Sequence, residues 1–128
     1  MVGVSGIGGV HREEDVYRAV RTAVETRRPN SAVYHDRQRF FCPHRLGRNK
    51  DGQLRVLCYQ YGGESESGLK PVGSPENWRC VAVDKLRSVE LLDGLWRTAP
   101  HHSRPASCVV AADMDAEDYP ERDPQQGQ

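Results

Sequence analysis

The apolar positions near the start of the chain repeat with the period of an amphipathic helix, which we predict from about Glu13 to Arg27. Acidic residues open this segment and two arginines close it, as the helix dipole favours, and Pro29 ends it. The apolar face is narrow and made of small residues, so the helix must pack on a sheet. Its members, at i, i+3, i+4, i+7 and i+8, are Val16, Ala19, Val20, Ala23 and Val24.

Beyond the helix, short runs of strand-forming residues alternate with turn residues. Asn49-Lys50-Asp51-Gly52 predicts a hairpin turn. Pro43 predicts an edge position or a bulge, because proline donates no backbone hydrogen bond. Short, regularly spaced strands favour a small barrel or sandwich, so the predicted fold class is mainly β (α+β) with one N-terminal helix. The predicted strands are 31–34, 39–46, 54–61, 78–83, 86–92 and a short last strand at 107–112.

The charge is balanced over the whole chain but uneven along it. Formal net charge is zero, yet residues 36–55 hold six Arg or Lys against two Asp, and residues 113–128 hold six Asp or Glu against one Arg. We predict a flexible, glycine-rich segment at 1–11, a folded domain at 12–110 and a disordered acidic tail at 111–128. The tail is either a solubilising end or a shield for the basic centre when no polyanionic ligand is bound.

Simple counts argue against a membrane protein and against a secreted one. The chain has no run of 18 apolar residues, and its first ten residues lack the features of a secretory signal. The four cysteines are spaced by 16, 22 and 28 residues, which matches neither a zinc motif nor a compact disulfide framework. We therefore expect reduced cysteines that act as small apolar residues, a cytoplasmic location and no contact with a membrane.

The basic centre and the glycine-serine loop that follows it form the candidate ligand site. Arginine presents a planar fork of donors that suits phosphate or carboxylate, and the backbone N–H groups and hydroxyls of the 62–68 loop suit an anion. Tyr59, Tyr61 and Trp78 carry rings on which a base could stack. The candidate ligand-binding residues are Arg37, Arg39, His44, Arg45, Tyr59, Gln60, Gly63, Ser65, Ser67 and Arg79.

The same residues also have a structural interpretation. The arginines could pair with Asp36, Asp51 and Asp84, and the long loop at 62–77 could simply be mobile. Gln60 is polar at the end of an apolar strand, so it is either an edge residue or a site residue. Tryptophan is more often a core residue than a ligand platform.

Cys42 and His44 lie two residues apart, so on a strand they share one face. A metal site or a Cys-His nucleophile could be built from such a pair. However, no third ligand follows at a suitable spacing, and nothing positions an oxyanion hole. We therefore predict no catalytic residue, no metal and no cofactor. The interpretations that remain for His44 are a hydrogen bond that fixes the fold and a contact with the ligand.

The stretch from Val16 to Leu92 resembles WYL-domain proteins, in particular the short stand-alone bacterial form. In that family an arginine precedes a Pro-His or Pro-Tyr pair, an aliphatic residue and a glycine. The corresponding residues here are Arg39 and Cys42-Pro43-His44-Arg45-Leu46-Gly47. They are followed by Asp51-Gly52, by Val56-Leu57-Cys58-Tyr59-Gln60-Tyr61-Gly62-Gly63-Glu64-Ser65-Glu66-Ser67-Gly68, and by Trp78-Arg79 and Val83-Asp84-Lys85-Leu86. The Trp-Tyr-Leu tripeptide itself is replaced by residues of the run Leu54-Arg55-Val56-Leu57.

This resemblance implies both a fold and a role. The fold is a small Sm-like β-barrel of five to six short antiparallel strands with an N-terminal helix. The role is that of a non-enzymatic sensor that binds a nucleotide, a nucleic acid or another anionic small molecule in a regulatory context. The alternative is a protein-interaction or oligomerisation module, because an exposed strand edge can pair with a protein partner or with a second copy of the chain.

Overall fold

One long helix precedes an antiparallel sheet in the computed structural model, which describes residues 13–66, 68–99 and 105–120. The regular elements are α1 (Glu13–Thr26), β1 (Asn30–Tyr34), β2 (Arg37–Arg48), β3 (Leu54–Gly63), β4 (Trp78–Ala82), β5 (Arg87–Leu91), the four-residue helix α2 (Pro105–Cys108) and β6 (Ala111–Asp115). Single 3-10 turns lie at Pro75–Asn77, Val83–Lys85 and Ala116–Asp118. Within the described ranges, no helix is long and apolar enough to cross a membrane.

Helix α1 ends one residue from its predicted boundary and packs its predicted face on the sheet. All members of that face are buried except Ala19, which is partly buried and still packs against the core. The helix closes at Arg27, whose φ of 50° reverses the chain. The N–H of Arg28 then donates to the carbonyl of Ala23 (2.9 Å), a bond typical of such a helix end. The helix prediction is confirmed.

The strands form one sheet in the order β4-β3-β2-β1-β5, and β6 pairs with β2 outside this order. β2 pairs with β3 along one edge. Along its other edge, residues 37–41 pair with β1 and residues 45–48 pair with β6. Pro43, which has no N–H to donate, lies between these two partners, and the register with β3 shifts between Pro43 and Arg45. Of the edge position and the bulge predicted as alternatives at this proline, the bulge is the one observed.

The sheet is strongly curved. In a flat sheet, β1 and β4 would lie about 14 Å apart, because each strand spacing is about 4.8 Å. Yet the hydroxyl of Tyr34, at the end of β1, accepts a hydrogen bond from the N–H of Ala82, at the end of β4 (3.1 Å). A single 3-10 turn also connects β4 to β5, although these strands lie at opposite ends of the sheet order.

The curved sheet is not closed into the Sm-like barrel that the resemblance implies. The mainly β class, with six antiparallel strands and an N-terminal helix, is confirmed. The turn after β4 is a 3-10 turn rather than a hairpin, and it buries Val83 and Leu86 in the core. In the described part of the chain, the two edge strands β4 and β5 are not paired with each other.

Both faces of the sheet carry an apolar cluster. On β3, Val56 and Cys58 point to the α1 side, whereas Leu57 and Tyr59 point to the opposite side. The α1 side holds Val16, Val20, Val24, Ala32, Phe41, Leu46, Val56, Cys58, Val81, Val83, Leu86, Val89, Met114 and Ala116. The opposite side holds Cys42, Leu57, Tyr59, Trp78, Ala99, Cys108 and Val109. Residues 92–99 and 105–110, which we call the strap, cover this second cluster.

A disulfide between Cys80 and Cys108 ties the strap to β4, with the two Cα atoms 5.6 Å apart. The expectation that all four cysteines are reduced is therefore wrong for this pair. The strap brings together two cysteines that are 28 residues apart in sequence, a contact that their spacing does not reveal. Cys42 and Cys58 are buried free thiols, as expected for small apolar residues.

The acidic C-terminal segment is ordered further than predicted. Residues 111–115 form β6, and Met114 and Ala116 are buried in the core, so the boundary of the disordered tail at residue 110 is wrong. These two side chains supply apolar contacts that the polar composition of the tail did not predict. The predicted flexible segment at 1–11 and residues 121–128 lie outside the described residues.

Candidate functional site

The structure distributes nine of the ten predicted site residues over three places. One is the end of the sheet where β2 begins and β3 ends, which we call the arginine end; Arg39 pairs there with Gly63 across the strands. The second is the cluster under the strap, and the third is the contact of β2 with β6. Arg37, Arg39, Gln60, Gly63, Ser65 and Arg79 belong to the first place, His44 and Tyr59 to the second, and Arg45 to the third. Ser67 lies outside the described residues.

The loop that follows β3 is tied to the sheet at its base. The N–H of Glu64 donates to the carbonyl of Gln38 (2.9 Å). The side-chain amide of Gln60, which is fully buried, donates to the carbonyls of Gly62 (3.0 Å) and Glu64 (2.9 Å). Gly63 has a φ of +86°, and a side chain there would collide with the carbonyl of Gln38. Gln60 and Gly63 therefore shape the loop.

Arg79 holds the far side of the same loop. Its Nη1 donates to the carbonyl of Glu76 (2.7 Å), and its Nη2 donates to the carbonyl of Gly68 (3.2 Å) and to the hydroxyl of Ser65 (3.3 Å). The guanidinium thus binds the loop rather than Asp84, the partner considered in the structural interpretation. Arg79 and Ser65 organise the site instead of facing a ligand.

Arg39 is the most unusual charge at the arginine end. Only 5% of the residue is exposed, and its guanidinium carbon lies 5.2 Å from the centre of the Tyr34 ring. Its Nε has no hydrogen-bond partner, and within the described ranges the side chain forms no ion pair. Burial lowers the pKa of Arg39, and the nearby charge of Arg37 lowers it further. Among the described residues, Arg39 is therefore a buried cation that has no ion-pair partner.

Arg37 lies beside it, nearer to solvent, and is paired with Glu66 of the loop. The Nη1 of Arg37 and the Oε2 of Glu66 are 3.7 Å apart, and the side chain of Glu66 is 73% exposed. Ion pairs this exposed contribute about 0–1 kcal/mol to stability. The pairing with Asp36 that the structural interpretation offered is replaced by this contact with the loop.

His44 and Tyr59 have structural partners in the cluster under the strap. The ring of His44 lies between those of Trp78 (4.7 Å) and Trp96 (4.6 Å). Its Nε2 lies 3.1 Å from the carbonyl of Arg97, so this nitrogen carries the proton. The buried hydroxyl of Tyr59 donates to the carbonyl of Ser74 (2.8 Å). Two interpretations were offered for His44, a hydrogen bond that fixes the fold and a contact with the ligand. The structure shows a partner for the first of them, the carbonyl of Arg97.

Cys42 and His44 share one face of β2, as predicted, and together they hold the backbone of Arg97. The sulfur of Cys42 accepts from the N–H of Arg97 (3.2 Å), next to the carbonyl that binds His44. Burial raises the pKa of Cys42 to about 12, so its thiol stays protonated and is a poor nucleophile. In the described part of the chain, no group of three or more metal-binding side chains comes together.

Arg45 is neutralised within the protein. Its Nε donates to a carboxylate oxygen of Asp115 (2.8 Å), and both side chains are largely shielded from solvent. Asp115 belongs to β6, which the sequence placed in a disordered tail. One arginine of the basic centre is thus paired with an acidic residue of the C-terminal segment.

Sequence reasoning missed three features of the molecule. Two of them are residues that were not predicted to belong to the site. Tyr34, which is close to Arg39 in sequence, contacts it through its ring, and Glu66 of the loop pairs with Arg37. The third feature is a cleft of about 830 Å³ between the start of α1 and the β2–β3 hairpin, far along β2 from the arginine end. The cleft is lined by Glu13, Glu14, Tyr17, Arg18, Arg48 and Leu54.

Comparison with known proteins does not add a relative. No protein-family model, no curated protein and no solved structure matches this chain. The geometry and electrostatics of the arginine end are therefore the features of this chain that bear on its function.

Proposed function

We propose that this chain is a non-enzymatic binding module that recognises a phosphate group, carried by a nucleotide or by the end of a nucleic acid, at the arginine end. The observation that carries the proposal is Arg39, a cation that is 5% exposed and, within the described part of the chain, has neither an ion pair nor a hydrogen bond at Nε. Arg37 lies beside it and adds a second positive charge that is more accessible.

The energetic argument is that Arg39 is under-compensated without a ligand. Removing a cation from water costs several kcal/mol, and the contact with the Tyr34 ring offsets about 0.5–2 kcal/mol of that cost. An anion placed against the guanidinium would offset more of it, because charge-assisted hydrogen bonds are about twice as strong as neutral ones. Phosphate matches the planar fork of arginine particularly well.

The biological setting of the proposal comes from the resemblance to the short WYL-domain proteins of bacteria. That resemblance favours a regulatory sensor in the cytoplasm, and membership of the family stays a prediction. The Cys80–Cys108 disulfide weighs against a reducing compartment, because disulfides persist mainly in oxidising ones.

The alternative role, pairing of an exposed strand edge with a protein or a second copy, receives less support. Edge strand β5 is five residues long, and its pairing with β1 is irregular between Ser31 and Val33. It also presents the exposed charges of Arg87 and Glu90. Short, irregular and charged edges are the features by which proteins avoid edge-to-edge pairing.

The test is fluorescence anisotropy with a short single-stranded oligonucleotide that carries a 5′-phosphate and a 3′-fluorescein. We expect binding at low salt that weakens as salt rises and that is lost in Arg39→Met. The matched control is Arg48→Met, which removes the same charge from the other end of β2. Competition by free thymidine monophosphate would identify a nucleotide ligand, whereas competition by the phosphorylated oligonucleotide alone would identify a nucleic-acid end.

Equal binding by the wild type, Arg39→Met and Arg48→Met would overturn the proposal, as would the absence of binding to all phosphate probes. Thermal unfolding of both variants shows whether a loss of binding reflects a loss of fold. We expect Arg39→Met to unfold at or above the temperature of the wild type, because it removes an under-compensated buried charge.

A further inference from the structure

We propose that the carboxylate of Glu66 occupies the place of the ligand's phosphate and must move aside before phosphate binds. This inference rests on the proposed function and adds how the site is regulated. Glu66 would be an internal competitor, carried by the loop that closes the arginine end. Its removal would strengthen phosphate binding although it touches no ligand.

The carboxylate of Glu66 lies where it can compete with the phosphate of the ligand. The Glu66 carboxylate lies 3.7 Å from Arg37. It also acts on Arg39, since its negative charge opposes the lowering of the Arg39 pKa by burial and by Arg37. One carboxylate is thus paired with Arg37 and also acts electrostatically on Arg39, the two arginines that are proposed to hold phosphate. An internal anion in this position fills the electrostatic role of the ligand without its full charge.

The ion pair between Glu66 and Arg37 can be broken without disturbing the loop. The base of the loop is fixed by the hydrogen bonds of Gln60, of Arg79 and of the Glu64 backbone. The Glu66 side chain, in contrast, is 73% exposed, and its ion pair with Arg37 is its sole polar contact among the described residues. Its departure therefore costs no hydrogen bond of the loop base.

Phosphate should bind the two arginines more strongly than the carboxylate of Glu66 does. An exposed ion pair is weak and is screened further by salt. A phosphate monoester carries up to two negative charges and three acceptor oxygens, so it can satisfy Arg37 and Arg39 together. The ligand should therefore displace Glu66, but with an affinity that the displacement reduces.

The experiment compares Glu66→Gln with Glu64→Gln, using the anisotropy probe with a 5′-phosphate. Both variants remove one negative charge from the same loop, but Glu64 forms no ion pair with Arg37 or Arg39 in the described structure. We expect Glu66→Gln to bind about three- to fivefold more tightly than the wild type, since competition and repulsion are both removed. The affinity of Glu64→Gln should change by less than about twofold, and the difference between the variants should shrink as salt rises.

The outcomes separate this inference from the proposed function. If the wild type binds and Glu66→Gln binds no more tightly, the competitor role is refuted and the phosphate site stands. Equal gains in both variants would mean a general effect of loop charge, which also refutes it. If neither the wild type nor Glu66→Gln binds any phosphate probe, the proposed function itself falls. A gain in Glu66→Gln that persists with an oligonucleotide lacking the 5′-phosphate would contradict a role specific to that group.

Discussion

The two ends of β2 carry arginines in opposite situations. Near its C-terminal end, Arg45 bonds Asp115 of β6 at 2.8 Å. Near its N-terminal end, Arg39 is more deeply buried, yet its nearest charged neighbours are Arg37, of the same sign, and the exposed Glu66. The strand is the same and the residue type is the same, so the difference comes from what lies beside each end.

The difference lies in the pairing partner. β6 runs along residues 45–48 and brings an acidic side chain to Arg45, whereas residues 37–41 pair with β1, which brings the ring of Tyr34 instead. A cation that is paired within the chain is a structural element. A buried cation that has no ion-pair partner among the described residues is stabilised when an external anion binds to it. The proposed function follows from this contrast.

The largest expected effect concerns Cys42, which lies between the two ends of β2 and accepts a hydrogen bond from the N–H of Arg97. The pKa of Cys42 rises from its usual value of 9.0 to about 12 in the folded protein, so the unfolded chain loses this proton first as pH increases. Its contribution is fully present below pH 9 and is lost as pH rises towards 12, at about 1.4 kcal/mol per pH unit. Urea unfolding at pH 8, 9, 10 and 11 measures this slope together with that of the buried Cys58 thiol, whose pKa is also raised by burial.

Cys42→Ser is the matched control for that slope. The hydroxyl keeps an acceptor for the N–H of Arg97 and has no proton to lose in this range. We expect the decline between pH 9 and 11 to become shallower in this variant. An unchanged slope would mean that other groups cause the loss of stability at alkaline pH and that Cys42 does not contribute to it.

The next largest effect should come from separating β6 from β2. A side chain at Gly47 would collide with the carbonyl of Ala111 and would lie 2.7 Å from the Cα of Ala112. We expect Gly47→Ala to lower the free energy of unfolding by about 3 kcal/mol, because the conflict is with backbone that cannot move aside. Gly62→Ala, whose new atom would meet the Phe40 side chain at 3.3 Å, should cost less than about 1 kcal/mol. Similar losses in chemical denaturation would show that β6 is not closely seated.

A direct test of the comparison replaces each arginine with methionine. Arg45→Met should lower stability by about 1 kcal/mol, because Asp115 loses its partner while partly shielded from solvent. Arg39→Met should raise stability by about 1 kcal/mol, because an unpaired buried charge is replaced by an apolar chain. Urea unfolding gives both values, with Arg48→Met expected within about 0.5 kcal/mol of the wild type. Changes of the same sign at positions 39 and 45 would break the comparison.

The smallest effect tests the curvature that places Tyr34 beside Arg39. Tyr34→Phe removes the acceptor of the Ala82 N–H and should lower stability by about 1 kcal/mol. The ring under Arg39 remains, so binding of the phosphorylated oligonucleotide should not change. Tyr61→Phe is the control, since its hydroxyl has no hydrogen bond in the described ranges, and it should leave stability at pH 7 unchanged within about 0.5 kcal/mol. A loss of binding in Tyr34→Phe would show that the hydroxyl, and not the ring, supports Arg39.

Sequence by itself determined the local elements of this protein. The stripe of small apolar residues placed α1 to within one residue of its end, and strands β1 to β5 were found with shifts of one or two residues. The last strand, predicted at 107–112, shares only residues 111–112 with β6, because residues 105–108 form α2. The shared face of Cys42 and His44 was also predicted correctly, and the bulge at Pro43 was one of two predicted alternatives. These features depend on steric and hydrogen-bonding rules that act over a few neighbouring residues, so a linear pattern is enough to reveal them.

The tertiary structure alone decided which predicted site residues are buried, paired or left uncompensated. Arg39 and Arg45 look alike in sequence, and so do the cysteines that form a disulfide and those that do not. Strap, β6 and Tyr34 assign them different neighbours over separations of up to 70 residues. The free energy of a charge depends on its burial and on the nearest opposite charge, and long-range packing sets both.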